Sequence, residues 1–147
     1  MADTLLSRPI VPVANPEDAK LTYERLRPRL PADSVPLFVN VIQKSGGGID
    51  KAPLGRMREL GEEIFEHVGS LATEDGLTVE TKQLYGTDVA EAIIEAGDEY
   101  DASAIVFTSR GGNKWIDLLS GGIRSTLVAE ANIPVVVLPT DVDTDPN

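Results

Sequence analysis

The stretch Ile105–Pro139, IVFTSRGGNKWIDLLSGGIRSTLVAEANIPVVVLP, joins two apolar strands through two glycine pairs and one helix. Gly111-Gly112 and Gly121-Gly122 fall where a strand ends and a helix begins. Glycine lets backbone N–H groups converge without a Cβ in the way, and a helix start adds unpaired donors with positive dipole character, so the two pairs together suit a phosphate group. Glycine pairs that only turn the chain are the commoner case. Local charge bears on the choice. Arg110, Lys114 and Arg124 are opposed between positions 110 and 124 only by Asp117, a local net of 3 − 1 = +2, whereas the whole chain carries 13 − 24 = −11. Cations gathered beside glycines favour an anion there; three cations on a solvated loop would look the same.

Upstream of this stretch the same strand–helix unit recurs. Pro9-Ile10-Val11-Pro12-Val13-Ala14 is near-continuously apolar, as in a strand buried on both faces, and Asn15-Pro16-Glu17-Asp18 supplies a cap, a first-turn proline and two carboxylates for the helix dipole. Pro28 should end that helix near Arg27. Val35–Ile42 predicts a second strand, and Ser45-Gly46-Gly47-Gly48 a flexible run. From Pro53 to about Thr73, Leu54, Met57, Leu60, Ile64, Val68 and Leu71 recur at helical spacing and predict a core-facing stripe. Leu77–Leu84 alternates as a strand with one covered face, at an edge. Gly86-Thr87-Asp88 turns into a third helix expected to end around Gly97. Ala104–Phe107, a helix over Ile123–Ala131 and a strand over Pro134–Leu138 complete the order. Strands alternating with helices predict an α/β fold, an open five-stranded parallel sheet with helices on both faces in the order 3-2-1-4-5. Ligands in such sheets bind beyond the strand ends where the winding reverses, which places Ala14-Asn15 and Thr108-Ser109 on one crevice.

The 147 residues suit one domain over 1–139, with Thr140–Asn147 as a disordered acidic tail. No apolar run is long enough to span a membrane, and the start of the chain lacks a signal-peptide pattern, so a cytoplasmic protein is expected. With no cysteine there is no disulfide or thiolate chemistry. His67 is the only histidine and has no partner motif for a metal or a nucleophile. The negative charge repels nucleic acid and anionic membranes. Its excess of carboxylates over lysines resembles the surface of a protein from a high-salt cytoplasm.

These residues resemble the universal stress protein family, from Pro9 to Pro139. The resemblance rests on Val11-Pro12-Val13 at the first strand, the segment Gly86–Ile93 leading the third helix, Pro134-Val135-Val136-Val137 at the end, and the nine-residue spacing of Gly111 and Gly121. It implies a Rossmann-like fold and a site for ATP or another adenine nucleotide, with magnesium. That site would be formed by Ala14, Asn15, Val41, Phe107, Thr108, Arg110, Gly111, Gly112, Gly121, Gly122, Ile123 and Arg124. Three positions depart from the nucleotide-binding pattern. Thr108 stands for a glycine, Gly122 for a hydroxyl residue, and Ala14 for an aspartate that holds the nucleoside. Loss of that carboxylate removes hydrogen bonds of about 1.5–3 kcal/mol, on the order of a hundredfold in affinity at the upper end. Asn15, Thr108, Ser109 and Ser125 could compensate, although Asn15 reads first as a cap and Ser125 as a small packed residue.

The resemblance therefore implies a non-catalytic stress-response regulator whose nucleotide pocket is weakened; the alternative is a dimeric interaction module that binds no nucleotide and leaves the pocket empty of cofactor. Hydrolysis ranks third, since with Ala14 in place the crevice shows no obvious carboxylate and Asp117 is the nearest in sequence. A phosphate-accepting receiver domain is excluded by Ala14-Asn15 and Leu84-Tyr85 where acids are needed. Val135, Val136, Val137 and Leu138 would leave an apolar edge, and the family resemblance implies a homodimer through it, with a further regulatory partner, no nucleic acid and no membrane insertion.

Overall fold

Pro9–Pro12 forms the first strand, β1, and all of it is buried because strands flank it on both sides. The structure, a computed structural model, describes residues 5–43, 51–108 and 121–139. After β1 come α1 (Pro16–Leu26), a 3-10 turn (Arg27–Arg29), β2 (Leu37–Gln43), α2 (Lys51–Asp75), β3 (Glu80–Gly86), α3 (Val89–Tyr100), β4 (Ala104–Thr108), α4 (Gly121–Glu130) and β5 (Val135–Leu138). The five strands are parallel and lie in the order β3-β2-β1-β4-β5, as the sequence predicts. The Ser45–Gly48 run and the tail from Thr140 lie outside the described residues.

Successive side chains of a strand point to opposite faces, so each central strand feeds two cores. Ile10, Val39, Ile105 and Phe107 meet Val89 and Ile93 of α3 and Leu127 of α4. Val11, Val13, Phe38 and Val106 meet Tyr23 and Leu26 of α1 and Ile64 and Val68 of α2. Covering both faces is what the near-continuous apolar runs require.

Local chemistry sets the ends of the helices. The Asn15 side chain accepts the Asp18 N–H at the start of α1, with Pro16 in the first turn. Pro28 turns the end of α1 into the 3-10 segment, where the sequence puts the break. At the other end of α1, Tyr23 donates its hydroxyl to Asp75 at 2.6 Å, and Arg27 pairs with the same carboxylate at 3.2 Å, tying α1 to the last residue of α2. Asp88 caps α3 by accepting the Glu91 N–H at 3.1 Å.

Three expectations are corrected. Gly97 does not stop α3; it lies inside the helix against Ile10 and Ile133. The stop is Asp101 at φ 66°, with the Ala102 N–H returning to the Gly97 carbonyl at 2.8 Å. The apolar stripe of α2 is core only in part: Ile64 and Val68 are fully buried, whereas Met57 and Leu60 are 39% and 36% exposed, because residues 55–60 are exposed on every side. The third strand is displaced from Leu77–Leu84 to Glu80–Gly86. Its register on β2 begins at Leu37↔Glu80, so Leu77 and Val79 precede the strand and pack on the α1/α2 core instead. β3 is an edge, as expected, but Glu80, Thr81 and Lys82 are all exposed rather than alternating.

β1 and β4 part early. Their register covers Pro9↔Ala104 and Ile10↔Ile105. The Val13 N–H turns toward β2, donating to Val39 at 2.9 Å. By the two-residue alternation of a strand, residue 12 faces β4, and Pro12 has no N–H to give.

Candidate functional site

The carboxyl ends of β1 and β4 are the point where the winding reverses, with β2 on one side of the pair and β5 on the other. Ala14 follows β1 and Thr108 ends β4, and a chain of hydrogen bonds through α1 links them. The Ala14 N–H donates to Asp18 Oδ2 at 2.8 Å. Thr22 Oγ1 donates to Asp18 Oδ1 at 3.3 Å and lies 2.7 Å from Thr108 Oγ1. A hydroxyl has one proton. Since that of Thr22 goes to the carboxylate, Thr108 is the donor in the Thr22–Thr108 bond. Asp18, Thr22 and Thr108 are each 1% exposed.

Asp18 is the buried polar residue beside the β1 end that the sequence reading did not single out. It reads as a first-turn acid completing the helix dipole; in the fold it is buried behind the Ala14 amide. The available signal was the pairing of Asp18 with Thr22 one helical turn on, together with Ala19 and Tyr23 on the core side.

On the other flank of β1, Asn40 donates through Nδ2 to the Val13 carbonyl at 2.9 Å, and Gln83 Nε2 donates to Asn40 Oδ1 at 2.8 Å. This amide pair, with Asn40 buried and Gln83 half-buried, fixes the β1 end against β2 and β3.

The predicted site residues divide clearly. Ala14 and Asn15 lie at the β1 end, part-buried, with Asn15 acting as the cap. Thr108 alternates with Phe107 and therefore turns its side chain to the α1 face, where Thr22 holds it. Phe107 and Val41 are buried in the α3/α4 core, so what they can offer a ligand is backbone. Gly121 opens α4. A Cβ at Gly122 would meet nothing within 4 Å, and Ile123 packs partly on the core. Ser125 is exposed rather than packed, and so is Gly122. Arg110, Gly111 and Gly112 lie outside the described residues, as do Ser109, Lys114 and Asp117.

Arg124 stands in the first turn of α4, where backbone N–H groups have no intrahelical acceptor. Its Nε is buried and finds no hydrogen-bond partner among the described residues. A buried donor of a guanidinium left unmatched is costly unless an acceptor arrives, and a phosphate oxygen is a fitting one. No group of three or more metal-ligating side chains occurs among the described residues. The groove of about 640 Å³ along α2 is lined by Glu59, Glu62, Glu63, Phe65 and Glu66, a set of charges that repels a nucleotide.

The model of the universal stress protein family matches residues 11–139. No curated protein matches the chain. Among solved structures the chain is similar to a universal stress protein family protein from Arabidopsis thaliana with AMP bound, at 18% identity and TM-score 0.67, with 96% of each chain covered. It is similar to the universal stress protein from Archaeoglobus fulgidus in complex with dAMP, at 19% identity and TM-score 0.59, covering 91% of this chain and 98% of that one. A universal stress protein in complex with cAMP gives 14% identity and TM-score 0.66, covering 92% and 98%.

Proposed function

The chain belongs to the universal stress protein family, and from that premise we propose that it is a non-catalytic stress-response regulator that binds an adenine nucleotide at the crevice between β1, β4 and α4. The observation that carries this reading is the buried Nε of Arg124 in the first turn of α4, unmatched among the described residues. Three structural neighbours whose ligands are AMP, dAMP and cAMP support the ligand class. Gly111, Gly112, Gly121 and Gly122 supply amides to the phosphate, Arg110 and Arg124 supply charge, Val41 and Phe107 supply backbone to the base, and Ala14, Asn15 and Thr108 frame the nucleoside. Magnesium would enter with a di- or triphosphate.

Isothermal titration with AMP and ATP tests the site. Arg124→Gln should weaken AMP by at least tenfold, the worth of one charge-assisted hydrogen bond of about 1.5–3 kcal/mol. Gly122→Ser, entering open space, should tighten it by restoring a hydroxyl. Absence of heat at millimolar AMP and ATP would reject nucleotide binding.

The second reading, an interaction module without nucleotide, is favoured by one observation: the Ala14 N–H at the β1 end is already taken by Asp18. Both readings share a homodimer through β5, whose Val137 is 48% exposed on an open sheet edge, although Leu138 is buried in the chain's own core. Val137→Lys should convert dimer to monomer in sedimentation; a monomeric wild type at micromolar concentration would reject the dimer. Residues 1–139 act as one domain, in a cytoplasm of high salt, and a regulatory protein reads the ligand state. No helix among the described residues is long and apolar enough to cross a membrane.

A further inference from the structure

The N-terminal part of α2 carries apolar side chains that the described fold leaves uncovered. Residues 55–60 are exposed on every side, and Met57 and Leu60, three positions apart on one helix, leave 39% and 36% of their surface in water. Two hollows follow this part of the helix. One of about 440 Å³ is bordered by Arg56, Met57, Glu59, Leu60 and Glu63. The groove of about 640 Å³ shares Glu59 and Glu63 with it and runs on past Phe65 to Glu66. Together they extend from residue 56 to residue 66, about 15 Å at the helical rise.

Charge along this strip is one-sided. Glu59, Glu62, Glu63 and Glu66 are exposed, and none of them is in an ion pair among the described residues. No Lys or Arg occurs from position 59 to the end of α2. Carboxylates alone would not set the strip apart on so acidic a chain; the exposed Met57 and Leu60 beside them do. The combination is complementary to a partner whose cations flank an apolar stripe. Other occupants fit less well. Nucleic acid and anionic lipid are repelled. A second copy would bring the same carboxylates from a chain of net −11. An added strand finds no open backbone, because α2 uses its N–H and C=O groups within the helix. Recognition is left to side chains, as when one helix lies along another.

We infer that this strip of α2 is a docking surface for a basic amphipathic helix of another protein, with the partner's apolar stripe on Met57 and Leu60 and its lysines or arginines on Glu59, Glu63 and Glu66. Met57 suits the role, since its unbranched side chain adapts to the shape it meets. The inference is independent of the nucleotide reading and gives the regulatory partner a chemistry.

The test is fluorescence anisotropy, without nucleotide, using a dye-labelled helical peptide of lysine and leucine with leucines at i, i+3, i+4 and i+7. The same peptide with glutamate for every lysine is the control probe. The wild type should bind the lysine peptide saturably and the glutamate peptide not at all. Leu60→Ser keeps the charge and should weaken binding by about tenfold, the loss of one buried leucine. Glu59→Gln with Glu63→Gln should weaken it by about tenfold or more. Glu91→Gln with Glu95→Gln, at exposed positions of α3, removes the same charge elsewhere and should leave affinity within about twofold. Melting curves establish that each variant is folded. Equal weakening by the α3 and α2 pairs would mean general attraction to an acidic surface and overturns the inference. So does unchanged affinity in Leu60→Ser, or no binding of the lysine peptide to the wild type. Sedimentation in which Leu60→Ser abolishes self-association would assign the strip to a second copy instead and likewise overturns it.

Discussion

Replacing Thr22 and Thr108 by valine, one at a time, should give unequal losses although the two side chains form one hydrogen bond with each other. Both are 1% exposed and valine matches the shape of threonine, so packing changes little. Thr108→Val removes the 2.7 Å bond and leaves Thr22 still donating to Asp18. No buried donor is orphaned, and the cost should be about 1 kcal/mol, that of one neutral hydrogen bond. Thr22→Val removes the same bond and also the 3.3 Å bond to the carboxylate, and it strands the Thr108 hydroxyl in a site water does not reach. One lost neutral bond, one long charge-assisted bond and one unsatisfied hydroxyl together amount to about 2–4 kcal/mol. For a chain of this length each kcal/mol lowers Tm by about 2–4 °C, so the two variants should differ by several degrees. Urea unfolding of both singles and the double variant, with equal m-values, measures the difference. The double should be less destabilised than Thr22→Val, because the second valine removes the stranded hydroxyl. Equal losses, or a greater loss in Thr108→Val, would refute the proton order Thr108 to Thr22 to Asp18.

Asn15→Ala deletes the cap on the Asp18 N–H at 2.8 Å and should cost about 1 kcal/mol in thermal or urea unfolding; no loss would mean that the Asp18 side chain alone orders the start of α1. Burial, and then the hydrogen bond to Asp75, push the Tyr23 hydroxyl well above its usual range. A pKa raised in the fold contributes stability that is complete below the unfolded value of about 10 and fades as pH climbs past it. Between pH 9 and about 11, Tyr23→Phe should therefore lose stability less steeply than the wild type, the remaining slope including Tyr100, which burial also shifts upward; parallel curves would contradict the Tyr23–Asp75 bond. Gly97→Ala should raise stability by about 0.5–1 kcal/mol, the helix-interior difference between the two residues. The added Cβ would stand 3.6 Å from Ile10 and Ile133, ordinary contact distance. A drop in Tm would show that this part of the core cannot accept it.

The fold was legible in the sequence because its signals are local and repeated. Burial of β1, β2 and β4 on both faces writes itself as apolar runs, and Asn15, Pro16, Pro28 and Asp88 mark helix ends through their own backbone chemistry. Gly97 misled because glycine serves both as a helix stop and as a small residue at a crossing, and only the neighbours Ile10 and Ile133 distinguish the two. The stripe of α2 misled because periodicity shows which face is apolar and not how far the helix runs beyond the sheet. β3 was shifted since its register is set by β2, a partner 43 positions away, as in Leu37↔Glu80. The family pattern nominates Ala14, Thr108 and Arg124 as site residues, whereas the bond joining Thr22 to Thr108 spans 86 positions of sequence. A contact of that separation leaves no mark in composition, and so the acid at position 18 reads as one more charge on a helix start.

The two borders of the sheet differ in a way that governs how far association can go. On β3 three successive exposed residues, Glu80, Thr81 and Lys82, interrupt any approaching strand with charge, whereas β5 offers Val137. A strand added beside β5 from a second copy by a two-fold operation would leave only charged borders facing outward. Growth then terminates at two chains, and a continuous sheet, the route to fibres, has no place to start.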